Sequence, residues 1–144
     1  MSWCNSAQRG DCNDWSVHLF WCRHFSEATM HTHSDDMKSC IEACQRCYAT
    51  CLQTAMGHCL DAGGEHIEPK HFRLMMACAE TCRASLALML IGSDHHRSQC
   101  GLCARICEDC ASDCERIGGM ENCVAACRAC AKECRAMAGA AQAA

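Results

Sequence analysis

What this 144-residue chain lacks narrows its class before any motif is considered. It has no basic excess: the formal net charge is −4, so neither nucleic acid nor an anionic membrane is an expected partner. No apolar run reaches the eighteen or so residues that a transmembrane helix needs. No export leader is visible. Ser16–Cys22 is too short and too polar for one, and Asp11 and Asp14 precede it where basic residues belong, so the expected compartment is a reducing cytoplasm. Apolar and polar residues nowhere alternate with period two, which excludes a strand reading. The length suits one domain with a proper core.

Leucine, isoleucine and valine are also missing from the positions where a helical core normally holds them. Cys100, Cys103, Cys107, Cys110 and Cys114 recur at offsets 0, 3, 7, 10 and 14, the spacing of the buried seam of a helix. Cys40, Cys44, Cys47 and Cys51 repeat the pattern at offsets 0, 4, 7 and 11, as do Cys123, Cys127, Cys130 and Cys134. One or two buried thiols in a core mean little, because free cysteine behaves as a small hydrophobe. Three helices with thiols at every seam position need another reason, since cysteine fills a core less well than leucine.

Taken in order, residues 1–33 read as an N-terminal extension. All three tryptophans fall there, and Cys4, Cys12 and Cys22 follow no helical spacing. Ser34 or Asp35 is a good cap for a first helix, which Gly63-Gly64 ends. Its seam is expected to continue from Cys51 through Thr54 to His58, with Cys59 beside it. Glu68-Pro69 opens a second helix, proline suiting the first turn, and Gly92-Ser93 closes it. Ser93 or Asp94 caps a third, Gly118-Gly119 closes that, and a fourth runs from about Met120 to Met137, leaving 138–144 as a flexible tail. Short turns between long helices predict an all-α fold, an antiparallel four-helix bundle with a cysteine-lined core over 34–137. The seam of the second helix is His71, Met75, Cys78, Cys82, Ser85 and Met89. His66, His95 and His96 fall in or near turns and read as solvated.

The candidate metal ligands are thus Cys40, Cys44, Cys47, Cys51, Cys59, Cys78, Cys82, Cys100, Cys103, Cys107, Cys110, Cys114, Cys123, Cys127, Cys130 and Cys134. Nineteen cysteines in all also suit a disulfide scaffold, but the count is odd and cysteines along one helix face point side by side. A thiolate is the metal-binding form, with an ordinary pKa of about 8.5, so a buried set ionises only where cations compensate. Closed Cys4 zinc sites each leave two net negative charges in the core, a costly stack. Cu(I) brings one positive charge and is satisfied by two or three thiolates, so with bridging sulfurs the core stays nearly neutral. Side chains at i and i+4 have Cβ atoms about 5–6 Å apart, close to the ~4.5 Å that a linear two-coordinate metal asks of its sulfurs. Each C-x3-C pair therefore suits one Cu(I).

An iron–sulfur, ferredoxin-like electron carrier is one alternative, but its pattern is a cysteine loop ending in proline. Pro69 follows no cysteine, and a helix presents its thiols in a line. A zinc or general thiol metal-detoxification protein is the other. Enzymatic thiol chemistry is not expected, because no cysteine stands apart with a histidine partner. Protonated cysteines are apolar enough for the chain to fold without metal.

Over Met37–Met137 the chain resembles the bacterial copper storage proteins, through its repeated C-x3-C pairs on consecutive helices. The resemblance implies a bundle holding many Cu(I) ions, assembly as a homotetramer and, without an export signal, a cytoplasmic location; a copper chaperone is a candidate donor or acceptor, and no enzymatic activity is expected. Residues 1–30 match nothing in that family, and the second helix is thin in cysteine. The antiparallel layout gathers His58, Cys59, His71, Met75, Cys114, Met120 and Cys123 at one end. There, His58, His71, Met75 and Met120 are the candidate metal entrance, as weaker and exchangeable ligands. Met37, Cys40, Met89, Cys100, Cys134 and Met137 gather at the other end.

Overall fold

A computed structural model describes residues 34–139; the N-terminal extension 1–33 and residues 140–144 lie outside the described residues. Four long helices account for nearly all of the described chain, and no strand occurs among the described residues. Helix α1 (Asp35–Gln53) starts where Ser34 Oγ accepts the Met37 N–H at 3.3 Å, with Asp35 and Asp36 in the first turn, where negative charge is favoured. It runs on through a π-helical stretch (Thr54–Cys59) and one further α-helical turn (Leu60–Ala62), and stops at Gly63. A 3-10 turn (Gly64–Ile67) fills the connection to α2 (Pro69–Leu90), which has proline in its first turn as expected. Helices α3 (His96–Ile117) and α4 (Glu121–Gly139) follow. Ala138 and Gly139, expected in the tail, are the last residues of α4.

Each helix packs on the next, and α4 returns to α1, which is the closed ring of an up-down-up-down bundle. Small residues let the helices approach: Ala79, Ala104, Ala111, Ala126 and Ala131 are buried beside the cysteine seams. Ala77 and Ala129, one position before a seam cysteine, are exposed instead. Ion pairs such as Arg128–Glu115 (2.6 Å) and Arg135–Glu108 lie across the outside of α3 and α4. Their partners are largely exposed, so each adds little stability.

The third helix departs from expectation at its start. Ser93 Oγ accepts the His95 N–H at 3.3 Å and the Ser93 carbonyl accepts the His96 N–H, so Ser93 orders the turn while His95 stands at the cap position with no side-chain cap. At the far end of α3, Gly118 has φ 89° and ψ 171°, a backbone region open essentially to glycine. Gly118→Ala is therefore expected to destabilise the reduced protein by about 1–3 kcal/mol, although nothing stands within 4 Å of the added Cβ. Urea unfolding of the two reduced proteins checks this. Equal midpoints would show that the α3–α4 turn relaxes without cost.

Candidate metal centre

The seam residues meet on the bundle axis. All sixteen described cysteines are free thiols with 0 % exposure. Seven-residue spacing returns each seam to nearly the same side of its helix, and four such seams facing inward leave room for little but sulfur. On α2 the buried set is His71, Met75, Cys78, Ala79, Cys82, Ser85 and Met89, so every expected seam position is inside, with Ala79 in addition.

The sulfurs form a network that crosses between helices. Near the α1 start, Cys134 lies 3.7 Å from Cys40 and 3.5 Å from Cys44. Cys44 lies 3.7 Å from Cys130, and Cys130 3.7 Å from Cys82. Cys107 lies 3.6 Å from both Cys82 and Cys78. Cys51 then connects Cys78 (3.7 Å), Cys127 (3.5 Å) and Cys123 (3.7 Å). These distances exceed the ~2.0 Å of a disulfide but make each sulfur the neighbour of several others.

Along single helices, five C-x3-C pairs have sulfurs 3.8–4.0 Å apart: Cys47/Cys51, Cys103/Cys107, Cys110/Cys114, Cys123/Cys127 and Cys130/Cys134. That is about half an ångström short of the ~4.5 Å expected for a linear metal, a difference a small χ1 rotation covers. The remaining two expected pairs are linked through other helices: Cys40 and Cys44 both face Cys134, and Cys78 and Cys82 both face Cys107.

Four-sulfur groups compact enough to hold one ion are also present. Cys44/Cys103/Cys130/Cys134, Cys47/Cys78/Cys82/Cys107 and Cys51/Cys110/Cys123/Cys127 share no member. Cys47/Cys51/Cys78/Cys127 and Cys82/Cys103/Cys107/Cys130 bridge between them and share sulfurs with both neighbours. The thiols are thus arranged as an overlapping chain of sites.

Charge in this network is limited by the neighbours. Cys47 is pulled down because Cys107, then Cys127, Cys130 and Cys51 can all donate to its thiolate. Cys130 is lowered to about 7: Cys103 pushes it up, but Cys107, Cys134 and Cys44 outweigh that. The donors are correspondingly hard to ionise. Cys107 is pushed up, first by its bond to Cys103, and Cys127, first by its bond to Cys110, with burial adding in both. Cys100 is pushed up to about 12, because Cys40 and burial outweigh the pull of Cys134. Only some thiols can therefore be charged together without added cations.

The two ends of the bundle carry ligands of other kinds. At one end Cys59 Sγ lies 3.7 Å from Met120 Sδ and 4.0 Å from His71 Nε2. Below them Met75 Sδ meets Cys114 (3.3 Å), Cys110 (3.6 Å) and Cys123 (3.9 Å). His71, Met75 and Met120 are all buried. His58 is not. The π-helical stretch adds a residue per turn, so the seam after Cys51 passes through Ala55 and Cys59, and the expected positions Thr54 and His58 rotate away from the axis. The His58 ring instead lies edge-on to His66, with centroids 4.8 Å apart, and close over Gly119 in the α3–α4 turn.

Sequence reasoning missed Asp113. Its Oδ2 lies 2.8 Å from His71 Nδ1, and Arg116 holds its Oδ1 at 2.8 Å. A carboxylate accepts only, so Nδ1 carries a proton, and in the neutral ring Nε2 is left with a lone pair facing Cys59, the arrangement found behind metal-binding histidines. No spacing rule reaches across 42 residues from one helix to another, so only the fold could reveal it. It also corrects the expectation that no cysteine has a histidine partner: Cys59, His71 and Asp113 stand in the order of a nucleophile, a base and its orienter. The sulfur is nevertheless enclosed, 4.0 Å from the ring, and held up first by burial, the reverse of an activated thiolate. His66 and His96, expected to be solvated, are partly buried.

Comparison with known proteins settles the lineage. The profile of the copper storage protein family (Csp) matches residues 26–139. The chain belongs to the copper storage protein family. The match begins at Ser26, so it reaches into the stretch 1–30 that was expected to fall outside it. Among solved structures, the Nmul_A1745 protein from Nitrosospira multiformis is 54 % identical with a TM-score of 0.72, over 73 % of this chain and 96 % of that one. Cu(I)-bound copper storage protein BsCsp3 is 33 % identical with a TM-score of 0.67, over 72 % and 99 %. Apo Csp3 from Bacillus subtilis is 36 % identical with a TM-score of 0.59, over 70 % and 97 %.

The His71–Asp113 bond yields a stability prediction. In Asp113→Ala, His71 Nδ1 loses its acceptor inside the bundle, and the reduced protein should lose about 1–3 kcal/mol at neutral pH. The Asp113 pKa is depressed: burial raises it, but His71 and Arg116 prevail. Its contribution is therefore present above the ordinary value of 3.8 and lost as pH falls through the lower folded value. Urea unfolding across pH should show the two proteins converging in acid. A constant difference down to low pH would oppose this assignment.

Proposed function

We propose that this chain is a store for Cu(I), held by the sixteen buried thiols as thiolates, and that it is a sequestering protein with no catalytic role. The observation that carries the reading is the unbroken sulfur network, with neighbours 3.5–4.0 Å apart from Cys134 to Cys123. Its overlapping sites suit an ion of charge +1 that two or three shared thiolates satisfy. Three separate Cys4 zinc sites would leave Cys40, Cys59, Cys100 and Cys114 unused and six negative charges buried. An iron–sulfur cube would have to push apart thiols already in contact. Family membership and the Cu(I)-bound BsCsp3 relative support the same reading. We place the store in the cytoplasm, assembled as several bundles, with a copper chaperone as donor or acceptor.

Metal enters, on this reading, at the end formed by Cys59, His71 and Met120, with Met75 in the layer beneath and His58 outside. Histidine and thioether ligands are neutral and exchange more readily than thiolates. A surface groove lined by Glu115, Gly118, Met120, Glu121 and Arg128 reaches Cys114 at this end. Each Cu(I) then passes inward by ligand exchange, and each thiol that binds releases its proton to solvent.

The test is anaerobic titration of the reduced protein with Cu(I) against a chromophoric chelator. Uptake of roughly ten or more ions per chain before the chelator colours is expected, near one ion per bridging thiolate. Saturation at about three or four ions would indicate isolated Cys4 sites instead. For the entrance, His71→Ala combined with Met120→Ala should slow uptake while capacity falls by no more than about two ions. Stopped-flow loading measures this, and unchanged kinetics would place the entrance elsewhere.

A further inference from the structure

His96 was read from sequence as a solvated turn residue, and the structure places it differently. It is the first residue of α3, one turn before Cys100, and the offsets that define the α3 seam extend back to it. Side chains four apart on a helix lie one above the other. His96 therefore stands over the end of the sulfur column, remote from His71.

The ring's hydrogen bonding fixes which nitrogen is free. Nδ1 lies 2.6 Å from the Ser93 carbonyl oxygen. A carbonyl only accepts, so in the neutral ring Nδ1 carries the proton and Nε2 holds an unshared pair. Nε2 is out of contact with solvent and has no hydrogen-bond partner among the described residues. A buried acceptor with nothing to accept is unfavourable unless the site serves a ligand. A backbone carbonyl on the distal nitrogen is the usual support of a metal-binding imidazole.

Soft donors lie one helical turn further in. Cys100 Sγ lies 4.0 Å from Met89 Sδ, both with 0 % exposure, and the Cys40 and Cys134 thiols come next in the network. Imidazole, thiolate and thioether together suit a soft monovalent ion, Cu(I) or its analogue Ag(I).

We propose that His96 Nε2, Cys100 and Met89 form a Cu(I) site that caps the end of the bundle opposite His71. The inference rests on the storage reading above and extends it: the sulfur column is capped by a histidine at both ends. On binding, Cys100 loses its proton to solvent, the Nε2 pair becomes a metal bond, and no electron changes hands. Copper at this site is held by two neutral donors and one thiolate, so it exchanges more readily than copper in the all-thiolate interior.

The test follows the His96 ring nitrogens by long-range proton–nitrogen correlation spectra of the full reduced chain, before and during anaerobic titration with Cu(I). Before metal is added, Nε2 should show the signature of an unprotonated nitrogen and Nδ1 that of a protonated one. With Cu(I), the Nε2 resonance should move. His96→Phe should bind about one ion fewer, and His96→Met, which restores a soft donor, should regain it. A protonated Nε2 before metal is added, or an Nε2 resonance unmoved through saturation, would overturn the site even where a variant fails to fold. So would a full load in His96→Phe. Failure of the wild type to hold Cu(I) against the chelator would instead remove the storage reading, and this site with it.

Discussion

A thiol is apolar while it keeps its proton and an anion once it loses it, and the bundle has to accommodate both forms in one space. Protonated, the sixteen sulfurs pack as small hydrophobes against six buried alanines, and the fold closes around them. Ionised, the same sulfurs 3.5–4.0 Å apart repel strongly, because the low dielectric of the core screens little. Neighbouring S–H groups relieve a minority of thiolates, as at Cys47, and push their donors, such as Cys107, the other way. Cations of low charge distributed along the column remove the conflict altogether. The geometry that makes the column unable to ionise alone is the geometry that suits it to many monovalent ions.

Helix α2 modifies this rule where it matters. It carries only Cys78 and Cys82 at the middle of the bundle, and replaces thiols by His71 and Met75 at one end and Met89 at the other. Neutral donors therefore cluster at the ends and ionisable ones in the middle. The π-helical stretch at the end of α1 serves the same arrangement from the other side, turning Cys59 onto His71 and Met120 while sending His58 outward. Asp113 fixes the tautomer that leaves the His71 lone pair facing inward.

Much of this was legible in the sequence because a helical seam is a one-dimensional pattern. Offsets of 3 and 4 were enough to find every buried position of α2 except Ala79, including the non-cysteine ones, and every thiol of α3 and α4. The same rule failed past Cys51, where the backbone winds wider and the period changes, so His58 was placed on the axis in error. Asp113 and the free ring nitrogen of His96 were beyond its reach for a different reason, although the α3 offsets extend back to His96 itself. Their roles depend on hydrogen bonds, to His71 on another helix and to the Ser93 carbonyl in a turn, and neither leaves a periodic trace.

The distribution of donors also sets a direction for copper. On the sites proposed above, an ion at an end would be bound by one thiolate and neutral partners, and an ion in the middle by thiolates alone, so affinity would rise inward. Loading along such a gradient needs no gate: each step by ligand exchange is downhill. Unloading is uphill over the same path, and the outermost ion leaves first, either to a stronger thiol acceptor or when its single thiolate is protonated. Because the sulfurs in the middle of the column each touch several others, removal of one ion would leave thiolates that the next ion in line could bridge. A store built this way would release copper from its ends one ion at a time, and its interior would be the last part to empty.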